Sequence, residues 1–298
     1  MPKLMLNGTG IHYEETGRRG DRPVLLVSGV GTQLTRWSEG FTDMLAARGY
    51  HVIRMDNRDI GLSDGFDSAG VPDLKVIAAA KAGGQPMQVP YTLDEMAADA
   101  AALLDALDID RAHVIGSSMG GMIVQLMAIN HPEKVASLTS IMSTTGNPEL
   151  PRATREAQSA LTAQRSDPKQ NRDAYLDEAV RTAQIIGSPG YPETAEVIRE
   201  RAAFDLDRAY RPVGFARQYA AILAAPDRRE KLRALSVPTV VIHGADDPLV
   251  PVEGGRDTAA SIPGAEMVEI PGMGHNIPQP LYGMIIDAID RVASRAQR

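Results

Sequence analysis

Ala112-His113-Val114-Ile115-Gly116-Ser117-Ser118-Met119-Gly120-Gly121-Met122-Ile123 is the stretch on which the reading of this chain turns. A short apolar run leads in. An apolar helical pattern, Gly121 to Asn130, leads out and is stopped by His131-Pro132. Gly116-Ser117-Ser118-Met119-Gly120 is a common string by itself. Between a strand and a helix it has the form of a tight turn that exposes a serine hydroxyl. Side chains at Gly116 and Gly120 would collide across that turn. Ser118, with glycine two residues before and two after, is the candidate nucleophile, and Ser117 is the rival hydroxyl. At a helix N-terminus, free N–H groups and the helix dipole favour developing negative charge.

Working outward, strand and helix signals alternate. Gly10 to Glu15 reads as an early strand. Pro23 to Gly29 is a continuous apolar run ending in glycine, the pattern of a strand buried on both faces. A helix around Phe41 to Arg48 precedes a strand at His51 to Asp56. A helix from Thr92 to Leu107, with Thr92 and Glu95 as a capping box, precedes the strand that ends at Gly116. Val135 to Ile141, Pro238 to Gly244 and Ala265 to Ile270 are further strands, and Leu281 to Arg295 is an amphipathic helix. This alternation predicts an α/β fold with a mostly parallel central sheet flanked by helices. Ala69 to Pro90 reads as an irregular connection. Residues 147–234 have helical spacing and no convincing strand, so they are expected to form a helical cap between two core parts, 1–146 and 235–298. A cap there would cover the strand ends where such sheets place their sites.

A serine nucleophile needs a base. His12, His51, His113 and His131 fall on strands or at a helix end and read as structural; His243 closes a strand and could help orient the loop after it. His275 lies in the glycine-bracketed loop Ile270-Pro271-Gly272-Met273-Gly274-His275-Asn276, just after the last strand, and is the candidate base. The imidazole needs a carboxylate to hold its tautomer. Asp247, directly before Pro248, is the choice and Asp246 the fallback. The order is then Ser, Asp, His. Two backbone N–H groups should hold an oxyanion: that of Met119, and that of Val30 in the loop Ser28-Gly29-Val30-Gly31. Trp37, Leu34 and Met122 lie near these loops in sequence and are expected to make an apolar pocket. Asp56-Asn57-Arg58-Asp59 reads as a hydrogen-bonded turn that braces neighbouring loops.

Together these residues resemble the α/β-hydrolase superfamily over essentially the whole chain. Asp56-Asn57-Arg58-Asp59, Arg111 to Gly120, Asp247-Pro248 and Ile270 to His275 resemble the bacterial branch that includes aclacinomycin methylesterase. The resemblance implies a capped serine esterase whose nucleophile, acid and base fall on Ser118, Asp247 and His275. Ser28-Gly29 stands where the family commonly carries His-Gly. The expected activity is hydrolysis of small, largely apolar carboxylic esters through an acyl-enzyme. Lactones, thioesters, C–C bonds or perhydrolysis are alternatives for the same triad, and a small-molecule binding protein retaining the fold is the non-enzyme alternative. Dehalogenases and epoxide hydrolases of this fold use an Asp nucleophile, which Ser118 argues against.

The remaining composition narrows the field. The 298 residues contain no cysteine, which excludes disulfides and thiolate catalysis. A formal net charge of −7 leaves no footprint for nucleic acid or anionic lipid. No histidine pair has zinc-ligand spacing, and no glycine-rich loop has the setting of a dinucleotide or phosphate site. The expectation is a chemistry without metal or cofactor, a small-molecule ester as the partner, and a monomer or dimer. The N-terminal residues lack the apolar stretch of a secretory signal, which makes the cytoplasm the expected compartment.

Overall fold

A computed structural model describes residues 2–296. Eight strands form one sheet: β1 (Lys3–Leu6), β2 (Thr9–Thr16), β3 (Arg22–Val27), β4 (Tyr50–Met55), β5 (Ala112–Ser117), β6 (Val135–Ile141), β7 (Thr239–Gly244) and β8 (Glu266–Ile270). Their order is β1-β2-β4-β3-β5-β6-β7-β8. β1 pairs with β2, and β2 with β4, antiparallel; every other neighbouring pair is parallel. β1 was not read from the sequence. Asn7 and Gly8, both at positive φ (50° and 80°), make the two-residue turn that folds it onto β2.

The helices are α1 (Glu39–Ala47), α2 (Leu74–Ala82), α3 (Leu93–Ala106), α4 (Met119–Asn130), α5 (Arg155–Thr162), α6 (Arg172–Ile186), α7 (Ala195–Arg208), α8 (Gly214–Ala224), α9 (Arg229–Leu232), α10 (Glu253–Ser261) and α11 (Tyr282–Arg295). Thr92 and Glu95 form the expected capping box on α3. The connection from Ala69 to Pro90, read as irregular, contains α2. Asp73 caps it, and it packs against α8, while Ile77 is its only buried residue. With so little buried surface, tertiary contact rather than an apolar stripe specifies it.

Alternation along the central strands sends side chains into two cores. Leu25 and Val27 of β3 join a cluster with Leu103 and Leu104 of α3 and Ile123 and Met127 of α4. Val24 and Leu26 join a second cluster with Phe41 and Leu45 of α1 and Ile285 and Ile289 of α11. The sheet is therefore sandwiched between helices, and its parallel strands end along one edge where the connecting loops gather. α5 to α9 all fall between β6 and β7, and no strand lies in that interval among the described residues. No helix is long and apolar enough to cross a membrane among these residues.

One buried histidine gives the fold a pH dependence. His113 in β5 pairs through Nδ1 with Ser137 Oγ at 2.8 Å and meets the Tyr50 ring edge-on. Burial, with Arg22 and Arg111 nearby, pushes its pKa down from 6.5 to about 4. Between those values the unfolded chain takes up a proton that the folded chain refuses, so stability is present above pH 6.5 and is lost as pH falls towards 4. The loss should be on the order of 3 kcal/mol. A His113→Gln variant should show a flatter fall across that window when unfolding by urea is measured at each pH.

Candidate active site

Ser118 occupies the junction of β5 and α4 at φ 57° and ψ −121°, a backbone region that side chains rarely adopt. The neighbouring glycines make room for it. A Cβ on Gly116 would lie 2.1 Å from the Gly120 carbonyl oxygen, and one on Gly120 would lie 2.1 Å from the Val27 carbonyl oxygen. The Ser118 N–H donates to Ile141 O at 2.9 Å, and Ser143 Oγ donates to Ser118 O at 2.8 Å, so the end of β6 and the loop after it hold the turn. Ser118 is the one residue from Ala112 to Gly120 that is not buried; Ser117 is buried in β5.

His275 reaches the turn from the loop after β8. Its Nε2 lies 3.0 Å from Ser118 Oγ and its Nδ1 lies 2.7 Å from Asp247 Oδ2. The buried Asp247 carboxylate also accepts from Leu249 N–H and Val250 N–H through Oδ1, each at 2.9 Å. Burial alone would raise its pKa. The neighbouring His275 and His243 imidazoles and the hydrogen bonds the carboxylate accepts outweigh this and hold the carboxyl well below the ordinary range. An ionised Asp247 places the proton on His275 Nδ1 and leaves Nε2 to accept. Asp246 is exposed and accepts from Gly272 N–H at 2.7 Å, so it shapes the histidine loop without touching the ring. His243 lies behind Asp247, at 3.6 Å, and its Nε2 makes its hydrogen bond to Val250 O at 2.8 Å.

The loop after β3 closes the other side. Thr32 N–H and Oγ1 both donate to Gly29 O, which makes a turn with Val30 and Gly31 at its centre and Gly31 at φ +67°. A Cβ on Gly29 would be only 3.2 Å from Ser118 Cβ, so this backbone lies directly against the serine. Among the described residues the Val30 and Met119 N–H groups find no acceptor. Two of the expected pocket residues sit elsewhere: Trp37 packs in the core, its ring 5.5 Å from Phe41, and Leu34 has no exposed surface. The chain turns inward after the loop, because Asp56 Oδ1 accepts from Leu34 N–H at 2.8 Å. Met122 is buried but retains a little exposure one turn into α4.

A sequence model described as the alpha/beta hydrolase fold matches residues 22–278. The chain belongs to that family. It is 29% identical to the rhodomycin D methylesterase DnrP of Streptomyces peucetius, over 97% of each chain. It is 30% identical to 3-oxoadipate enol-lactonase 2 of Acinetobacter baylyi, over 85% of this chain and 82% of the other. Among solved structures, a meta-cleavage product hydrolase of Pseudomonas fluorescens IP01 superposes with a TM-score of 0.71 at 18% identity, covering 100% of this chain and 96% of that one.

In this alpha/beta hydrolase the Asp56–Asp59 motif is wholly buried and each residue braces a different element. Asp56 holds Leu34 N–H, Leu62 N–H and Arg208 Nη1. Asn57 Nδ2 donates to Ser28 O at 3.0 Å, and Arg58 makes a two-pronged pair with Asp99 of α3. Asp59 receives Arg217 Nε and Nη2 at 2.8 and 2.7 Å, together with Tyr91 Oη–H. Arg208 and Arg217 belong to α7 and α8, so two buried ion pairs fasten the inserted helices to the sheet. A second set of contacts joins the insertion to the histidine loop. His275 N–H donates to Ile186 O at 2.7 Å, Gly274 N–H to Ser188 Oγ at 2.9 Å, and Gly190 N–H to Gly272 O at 2.8 Å. None of these partners was read from the sequence, because arginines and serines in a polar helical stretch carry no signal of what they will meet. Arg217→Met would strand a buried carboxylate and should cost about 3–5 kcal/mol in urea unfolding. Adding Asp59→Asn should recover part of that loss.

Proposed function

We propose that this alpha/beta hydrolase is a serine carboxylic ester hydrolase working through Ser118, His275 and Asp247. The observation that carries the reading is the continuous contact from Asp247 Oδ2 to His275 Nδ1 at 2.7 Å and from His275 Nε2 to Ser118 Oγ at 3.0 Å. Ser118 Oγ attacks the ester carbonyl carbon as its proton passes to His275 Nε2. The carbonyl oxygen becomes an oxyanion held by the Val30 and Met119 N–H groups. Collapse breaks the C–O bond, and His275 returns the proton to the leaving alkoxide, which departs as the alcohol. A water then gives a proton to His275 Nε2 and attacks the acyl carbon; collapse breaks the C–Oγ bond, His275 returns the proton to Ser118 Oγ, and the carboxylic acid leaves. Asp247 stabilises the imidazolium throughout.

Residues 147–234 are proposed to act as a cap over this site, on the core formed by 1–146 and 235–298. Two observations support that assignment: the inserted segment bonds to the histidine loop at Ile186 and Ser188, and Phe215 of α8 lies over Gly31, where an added Cβ would come within 2.8 Å of the ring. Phe215 over Gly31 and Met122 one turn into α4 are apolar, and this favours small uncharged esters. The methylesterase relative supports a methyl ester as substrate. The enol-lactonase relative favours a second reading, in which the same steps open a lactone and the leaving alkoxide stays on the acid.

Ser118→Ala should lower kcat/KM on short chromogenic esters by at least about a thousand-fold. Turnover near wild type would overturn the assignment. A set of neutral and charged methyl esters and lactones, compared by kcat/KM, should rank the neutral compounds first.

A further inference from the structure

We propose that Gln218 of α8 is a positioning residue for the oxyanion loop, an inference that rests on the reading of Val30 and Met119 N–H as the oxyanion donors. Gln218 is fully buried and uses both ends of its amide. Its Oε1 accepts the Gly31 N–H at 2.8 Å, and its Nε2 donates to Arg58 O at 2.8 Å. The side chain therefore bridges the loop after β3 and the brace after β4 from a helix of the insertion.

The reason this matters is the arrangement of peptide planes around Val30. The plane before it carries Gly29 C=O and Val30 N–H, and Thr32 fixes it by donating twice to Gly29 O. The plane after it carries Val30 C=O and Gly31 N–H, and Gln218 is its partner. Gly31, at φ +67°, has no Cβ to resist rotation of that second plane. Rotation there changes ψ at Val30 and φ at Gly31 and so displaces Thr32, whose two bonds to Gly29 O hold the plane that carries the Val30 N–H. Gln33, two residues on, ties the loop to the same insertion: its Nε2 donates to Asp205 O at 2.6 Å and Ala209 O at 3.1 Å, and its Oε1 accepts from Arg208 at 2.7 Å. A neutral amide suits the position, because a carboxylate there would oppose the developing negative charge and could not donate to Arg58 O.

The test compares wild type with Gln218→Met, which keeps the length of the side chain and removes both hydrogen bonds. Both are assayed on a methyl ester and with a trifluoromethyl ketone, whose hemiketal adduct with Ser118 places its oxyanion on the oxyanion donors. Loss of a well-aimed donor is worth about 10²–10³ in rate, so a loosened one should lower kcat by about 10- to 100-fold. KM should change little, and ketone affinity should fall by the same factor as kcat. Unchanged kcat and ketone affinity, or a change confined to KM, would overturn the proposal. If Gln218→Met does not fold, Gln218→Asn carries the same two measurements, because its amide stays neutral but is one methylene too short to reach both Gly31 N–H and Arg58 O. Labelling of wild type, but not of Ser118→Ala, by a fluorophosphonate is run alongside. Failure of that labelling rejects the serine mechanism itself, and is thereby separated from failure of the Gln218 proposal.

Discussion

The turn at Ser118 holds a side-chain-bearing residue at φ 57° between a buried strand and a buried helix. Such a conformation costs of order 1–3 kcal/mol and persists only where its surroundings over-determine it. Here they do. Gly116 and Gly120 let three pieces of backbone meet at contact distance, Ile141 O takes the Ser118 N–H, and Ser143 holds the Ser118 carbonyl. β5 lies between β3 and β6 in the sheet, with α4 packed on one core, so the turn cannot relax without disturbing the centre of the molecule. The strain has a geometric product: it points one hydroxyl out of the sheet edge, while the next backbone N–H, that of Met119, finds no acceptor among the described residues.

Around this rigid point, the loops that complete the site depend on the inserted helices. The loop after β3 is held by Gln218 and by Gln33, and the loop after β8 is held by Ile186 and Ser188. Asp56 and Asp59 anchor the same insertion through Arg208 and Arg217. Buried ion pairs of this kind add little net stability compared with apolar packing, yet losing one partner is costly, which ties the position of the helices to the integrity of the brace. One set of contacts thus connects substrate access, on the proposed reading, with the geometry of the reacting groups.

Much of the frame was legible in the residues. The strand from Val135 to Ile141 has the bounds read from its apolar run, and the Thr92 capping box appears as expected. β1 and α2 escape the sequence reading for different reasons. The Asn7-Gly8 turn signal was present beside a very short strand, whereas α2 buries only Ile77 and depends on α8 for support. Nearness in sequence to the loop after β3 suggests a pocket position for Trp37. The chain turns inward immediately after that loop, and the ring enters the core.

The sequence by itself determined the alternation of strands and helices, the glycine-flanked serine, and the chain order of Ser118, Asp247 and His275. Each is carried by local rules: periodicity, steric need for glycine, and loops at strand ends. Tertiary structure decided what local rules cannot reach. It separated Asp247 from Asp246, because only the former points into the buried space behind His275 while the latter turns to Gly272. It also paired Gly31 with Gln218 across 187 residues of chain. A buried N–H must find an acceptor, but which side chain supplies it depends on how the inserted helices pack onto the sheet, and no spacing in the sequence encodes that.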